Sequence, residues 1–466
     1  MKSRSIIKLC PSLIALAISS VFTSVSYSQT LEQAVAHTLE SNPEIRIVFN
    51  QFKASQEQVK QAESGFMPTL DLTGGYGLER TNSPATRNLN TTDPADYPND
   101  YLDLNRGEFG LSIQQIIFDG FFTTSEVDRS RFEASAEQWA LFAAAEDMAL
   151  EATQVYIKYI QSEQVLTLAE KNLVTHQTIY DQIKQRTNSG LASTADLSQI
   201  TGRLARANAN VISAMNNFYD AKSEYIRIIH LPPENLIVPM PDADLLPADL
   251  MAGIEVAQER HPVLQSAAKD IQAAESAKEA SKSGYYPKFT LEFDGSWDNN
   301  LDGVNGDVNG VQGYYNELVG MIRVKYNLFA GGKDLATEKK AAYNLSESKE
   351  IRQRAERQIV EGLSLAWNAY ELLTPQKMFI KEHVIAAKET QLAYRQQFNL
   401  GQRTLLDLLD TENELFEARK SYLTAEYDEI ISQYRLLNAT GQLLSSLRVT
   451  RPEVWFSDNQ YLQGSY

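Results

Sequence analysis

Apolar and polar residues alternate with a period of two in four stretches of the chain. In KFTLEFDGSWD, Phe289, Leu291, Phe293 and Trp297 fall on one side, and Lys288, Thr290, Glu292, Asp294 and Ser296 on the other. LVGMIRVKYNLF sets Ile322, Val324, Tyr326 and Leu328 against Arg323, Lys325 and Asn327. Earlier, Leu70, Leu72, Tyr76 and Leu78 alternate with Asp71 and Thr73, and Phe109, Leu111 and Ile113 with Glu108, Ser112 and Gln114. This period predicts strands at about 69–79, 107–118, 288–298 and 318–329. A half-buried sheet in a soluble domain has the same period. The aromatic-rich apolar side beside a strongly charged one favours a sheet between lipid and water. Four strands cannot close a barrel, and an open edge leaves backbone groups unpaired in lipid. Membrane-crossing strands here must share a barrel between copies of the chain.

Elsewhere the period is seven. Tyr159, Leu166, Leu173 and Tyr180 recur at that interval, as do Leu197, Leu204, Val211, Phe218 and Tyr225. Leu408, Leu415, Tyr422, Glu429 and Leu436 form another row, with Leu409, Phe416, Leu423, Ile430, Leu437 and Leu444 beside it. Sevenfold spacing implies packed helices coiling left-handedly, and two adjacent rows let a helix pack on both sides. An ordinary antiparallel bundle fits this pattern equally. No proline interrupts Thr124 to Asn188, a helix of roughly 100 Å at 1.5 Å per residue. Pro375 predicts a kink or interruption in the second long helix.

These patterns occur twice. Pro43 and Pro68 recur at Pro262 and Pro287, 219 residues on; Gly120, Gly190 and Asp196 recur at Gly331, Gly401 and Asp407, 211 residues on. The chain divides into a first repeat at 29–231 (helix, two strands, long helix, tip turn at 188–193, helix), a Pro-rich connector at 232–252, a second repeat at 253–445 with its tip turn at 399–404, and a tail at 446–466. Asn42-Pro43 reads as a helix start, and His261, the counterpart of Asn42, as another. His176 shares a heptad face with Val155, Ala169 and Ile183, which gives it a packing role.

Lys2, Arg4 and Lys8, then an apolar run from Leu13 to Phe22 and the small residues near Ser28, read as a signal peptide at 1–28. A short buried helix is the competing reading. Removal takes Cys10, the sole cysteine, and leaves 40 basic residues against 60 acidic, moving the net charge from −17 to −20. No disulfide or thiolate chemistry is then available, and nucleic acid is a poor partner for so acidic a chain. Five histidines lack metal-ligand spacing, and no phosphate loop or nucleophile–base arrangement occurs. No enzyme activity, cofactor or metal is expected. The run Asn305, Asp307, Asn309, Gly310 approaches a calcium loop but has Asn316 where the twelfth position needs glutamate.

Duplicated halves, two strands per half, long paired helices and the phrases NSGLASTADLSQI and NLGQRTLLDLLDT together resemble the TolC family of outer-membrane channel-tunnels. The resemblance covers nearly all of the mature chain. It implies an α+β membrane protein: a homotrimer whose duplicated strand pairs, four per chain, form a shared 12-stranded β-barrel in outer-membrane lipid, with coiled-coil helices forming a periplasmic α-barrel. It implies tip turns at Gly190-Leu191 and Gly401-Gln402 that contact a periplasmic adaptor protein. It also implies a periplasmic gate of Asp196, Arg403, Asp407 and Asp410, with Arg403 helping to hold the narrow entrance closed; the competing reading of Asp196, which follows a glycine turn, is that it simply caps a helix start. Ser189 and Leu400 stand where the family commonly has a small apolar residue, and Ala195 and Phe398 replace polar gate residues. LEQAVAHTLESNP, QVKQAESGFMPTLDLTGGYG and SGLASTADLSQITGRLARANANVISAMNN look like the agglutination-protein branch, which serves type I secretion. That branch exports large adhesin-like proteins through an inner-membrane ABC exporter. Multidrug or small-molecule efflux is the alternative, and a non-channel surface coiled coil is the reading from another class.

Overall fold

A computed structural model describes residues 28–81, 102–300 and 313–456. All but Ser28 of the expected leader, and the run from Asn305 to Gly310, lie outside the described residues. The first series is α1 (Leu31–Ser41), α2 (Pro43–Glu63), β1 (Thr69–Thr81), β2 (Leu102–Phe118), α3 (Phe122–Asn188) and α4 (Thr194–Ile229). The second is α5 (Leu250–Arg260), α6 (Pro262–Ser281), β3 (Lys288–Asn300), β4 (Gly313–Lys325), α7 (Lys333–Asn399) and α8 (Leu405–Ala439), followed by a short α9 (Leu443–Ser446).

The four strands form one antiparallel sheet in the order β1-β2-β3-β4. Its register aligns Leu70, Ile113, Phe293 and Gly320, and likewise Leu72, Leu111, Gly295 and Leu318, so the apolar positions share one face. That face lies open: Leu72 is 67 % exposed and Tyr76 73 %. The opposite face pairs its own charges. Arg106 lies 3.2 Å from Glu79, 3.3 Å from Glu108 and 3.7 Å from Asp298, and Arg323 lies 2.7 Å from Glu292. The fourth strand, expected at 318–329, occupies 313–325, because β3 begins at Lys288 and its partner across the ladder is Lys325.

Both long helices span 67 residues. Ile45, Phe52 and Val59, spaced by seven, bury the inner side of α2 against α3. Asn42 starts α2 by accepting from the Glu44 amide at 2.8 Å, and His261 does the same for α6 from Val263 at 3.3 Å. His176 is buried, with Nδ1 3.0 Å from the Asn172 carbonyl. The chain thus contributes four helical columns: α3, α7, α4 continued by α2, and α8 continued by α6. In the lower part α3 and α8 lie inside and α4 and α7 form the two edges.

Helix α7 runs without interruption through Pro375. The proline removes one amide donor, and Glu371, whose carbonyl would have accepted it, is exposed and can turn that carbonyl to water. The described part of the tail, as far as Phe456, is also built in. Arg451 bonds the buried Glu146 at 3.0 Å, the Leu444 amide donates to the same carboxylate at 3.1 Å, and Gln138 donates to the Trp455 carbonyl at 2.9 Å.

Candidate functional site at the hairpin ends

The turns at the far ends of the two helical hairpins share one construction. Gly190 and Gly401 have φ of +73° and +75°, a left-handed conformation that favours glycine. Leu191 donates to the Arg186 carbonyl at 2.7 Å and Gly190 to Thr187 at 3.0 Å; Gln402 and Gly401 do likewise to Gln397 at 2.8 Å and Phe398 at 3.0 Å. These paired bonds satisfy the last carbonyls of α3 and α7. Three residues after each glycine comes the residue that caps the next helix, Ser193 or Thr404.

Three residues after each cap comes the repeated aspartate. Asp196 accepts from the Ser193 amide at 3.2 Å and hydroxyl at 2.9 Å, while the Asp196 amide donates back to that hydroxyl at 3.0 Å. Asp407 and Thr404 repeat this at 3.2, 2.9 and 3.2 Å. The six-residue interval from glycine to aspartate is therefore the interval from helix stop to capping box. The signals for the box, Ser193 with Asp196 and Thr404 with Asp407, were present in the sequence. The Thr404 hydroxyl and amide hold the Asp407 carboxyl below the usual carboxylate range, and nearby Arg403 adds to the effect.

Arg403 makes no hydrogen bond or ion pair to Asp196, Asp407 or Asp410 within the chain. Its guanidinium lies 4.2 Å from the Tyr394 ring centre, and Nε donates to Gln397 at 3.0 Å. Within the chain the turn directs Arg403 back along α7. Asp410 instead accepts from Arg203 of α4 at 2.6 Å. Sequence reasoning missed Arg203, since nothing in the spacing of one hairpin indicates which residue of the other faces it. Beneath this bridge Ile179, Ile183, Ile200, Leu405, Leu408 and Leu409 form one buried cluster joining both hairpin ends. Leu191 at the first turn and Leu400 at the second are 74 % and 72 % exposed.

Among the described residues no group of three or more His, Cys, Asp or Glu is placed to hold a metal. No described helix is long and apolar enough to cross a membrane. The arrangement offers hydrogen-bonded turns, a bridged charge and exposed apolar side chains at the end of a helical wall.

Known proteins share this plan. The model of the family described as "Outer membrane efflux protein" matches residues 34–225 and 253–442. The outer membrane efflux protein BepC of Brucella suis is 24 % identical over 444 residues, covering 94 % of this chain and 92 % of its own. The alkaline protease secretion protein AprF of Pseudomonas aeruginosa is 22 % identical, covering 87 % and 83 %. The solved structure of the Campylobacter jejuni CmeC outer membrane channel superposes with a TM-score of 0.74 at 15 % identity, covering 89 % of this chain and 86 % of that one.

Proposed function

Because this chain belongs to the outer membrane efflux protein family and resides in the outer membrane, we propose that three copies close into a single duct, with the barrel in lipid and the helical wall in the periplasm. One observation carries this reading: the protomer is open at both edges in both of its layers. The sheet ends on β1 and β4, each with one unpaired side among the described residues. The lower helical wall ends on α4 and α7, and both edges keep apolar heptad stripes in the open. Ile212, Tyr219 and Ile226 on α4, and Leu365, Leu372 and Phe379 on α7, are all exposed. Adding copies edge to edge satisfies the backbone of the strands and buries both stripes in one operation. Three copies of four strands and four helical columns give twelve of each.

The duct acts in a tripartite export system, its hairpin turns at Gly190-Leu191 and Gly401-Gln402 meeting a periplasmic adaptor that links it to an inner-membrane ABC exporter. The cargo favoured is a large adhesin-like protein, as in type I secretion. The name of the relative AprF, a protease secretion protein, supports protein cargo. The name of BepC, an efflux protein, supports small-molecule efflux as the second reading. Deleting the gene and comparing secreted proteins with sensitivity to toxic small molecules separates the two. Loss of large secreted proteins with unchanged sensitivity is expected; the reverse outcome transfers the function to efflux.

A further inference from the structure

We propose that Arg203 is the counter-charge of Asp410, fixing α8 to α4 and leaving Asp407, held by its own capping box, as the α8 carboxylate without a cross-hairpin partner at the tunnel mouth. The inference rests on the export-duct reading and assigns a residue to its gate.

The bridge joins helices that are not consecutive in the chain, at 2.6 Å. Both its ends are anchored. Ile200, one turn before Arg203, and Leu409, next to Asp410, are fully buried in the same cluster. The Arg203 side chain is 26 % exposed and that of Asp410 56 %, so the arginine end is the more enclosed. The other arginine of the region, Arg403, is engaged with Tyr394 and Gln397.

Duplication supplies an independent observation. A mirror-image bridge would need the counterparts 211 residues away, Glu414 for Arg203 and Gln199 for Asp410. Those residues cannot form an ion pair, and Glu414 lies 2.9 Å from His383 instead. Of the two cross-links the repeat permits, the chain builds one. An exposed ion pair adds little stability, but it does change the charge that a passing ion meets. With Arg203 in place Asp407 is the unbridged one of the two α8 carboxylates, and without Arg203 Asp410 joins it.

The test is single-channel recording of the full mature protein in planar bilayers, with a trivalent cation added on the side of the hairpin turns. For Arg203→Ala, block about tenfold tighter is expected from the freed carboxylates, together with a larger open conductance as α8 is released. Arg203→Lys should keep wild-type block, and the charge reversal Arg203→Asp with Asp410→Arg should restore it. Arg203→Gln keeps part of the side chain and serves if the alanine variant does not assemble. A conducting wild type matched by Arg203→Ala or Arg203→Gln in both readouts overturns the bridge alone. A wild type that does not conduct overturns the duct reading on which it rests.

Discussion

Lys377 of α7 donates to Glu429 of α8, and Glu429 is buried. Thr374 completes the site, its hydroxyl 3.0 Å from the other carboxylate oxygen, with Pro375 between the two donors. The positions 211 residues earlier hold Leu166 and Phe218, so the second hairpin carries an ionic pair at positions where the first has apolar residues. Truncating one partner strands a buried charge, and Lys377→Leu should cost about 3 kcal/mol. The double change Lys377→Leu with Glu429→Phe should recover that loss or exceed it. Thermal unfolding of the three variants in detergent checks both outcomes.

At the turns, the cost of replacing glycine is conformational. No atom lies within 4 Å of a Cβ built at Gly190 or Gly401, so Gly→Ala meets only the positive φ, worth about 1–2 kcal/mol. Gly→Asn should be milder, because asparagine tolerates this conformation. Hydrogen exchange across residues 185–197 and 396–408 should accelerate for alanine more than for asparagine.

Asp407 is expected to stay ionised through the physiological range. Its capping bonds from Thr404 lower its pKa, so the carboxylate is lost only as pH falls through that lowered value. Cation block that depends on Asp407 should therefore be flat between about pH 5 and pH 8, and Asp407→Asn should weaken it throughout. Thr404→Val removes the capping hydroxyl and should move the onset of lost block to higher pH.

Glu146 behaves oppositely. Burial pushes its carboxyl up to about 7, against the opposing bonds from Leu444 and Arg451. The folded state then holds the proton more tightly than the unfolded one, so stability should fall as pH rises from about 4.5 to about 7, by up to roughly 3 kcal/mol. Glu146→Gln should flatten that dependence. Thermal unfolding of both proteins from pH 4.5 to 8, with hydrogen exchange at residues 443–455, checks it.

The strands, the long helices and the duplication were legible because each is a periodic pattern summed over many residues. Strand ends were less so: β4 stops at Lys325 because β3 begins at Lys288, a fact of the partner and not of the segment. Pro375 does not end α7, since an exposed helix surface supplies water to the carbonyl that a proline leaves unpaired. At the hairpin ends the glycines and aspartates could be seen, but the box formed by Thr404 and Asp407 had to be read as one unit. Arg203 was invisible because its bond to Asp410 spans 207 residues.

Conductance of the purified mature protein in planar bilayers tests the central claim most directly. Discrete, uniform current steps are expected, since copies closed edge to edge leave one water-filled path through barrel and wall. Assembled particles that insert into the bilayer yet carry no current would contradict a continuous duct.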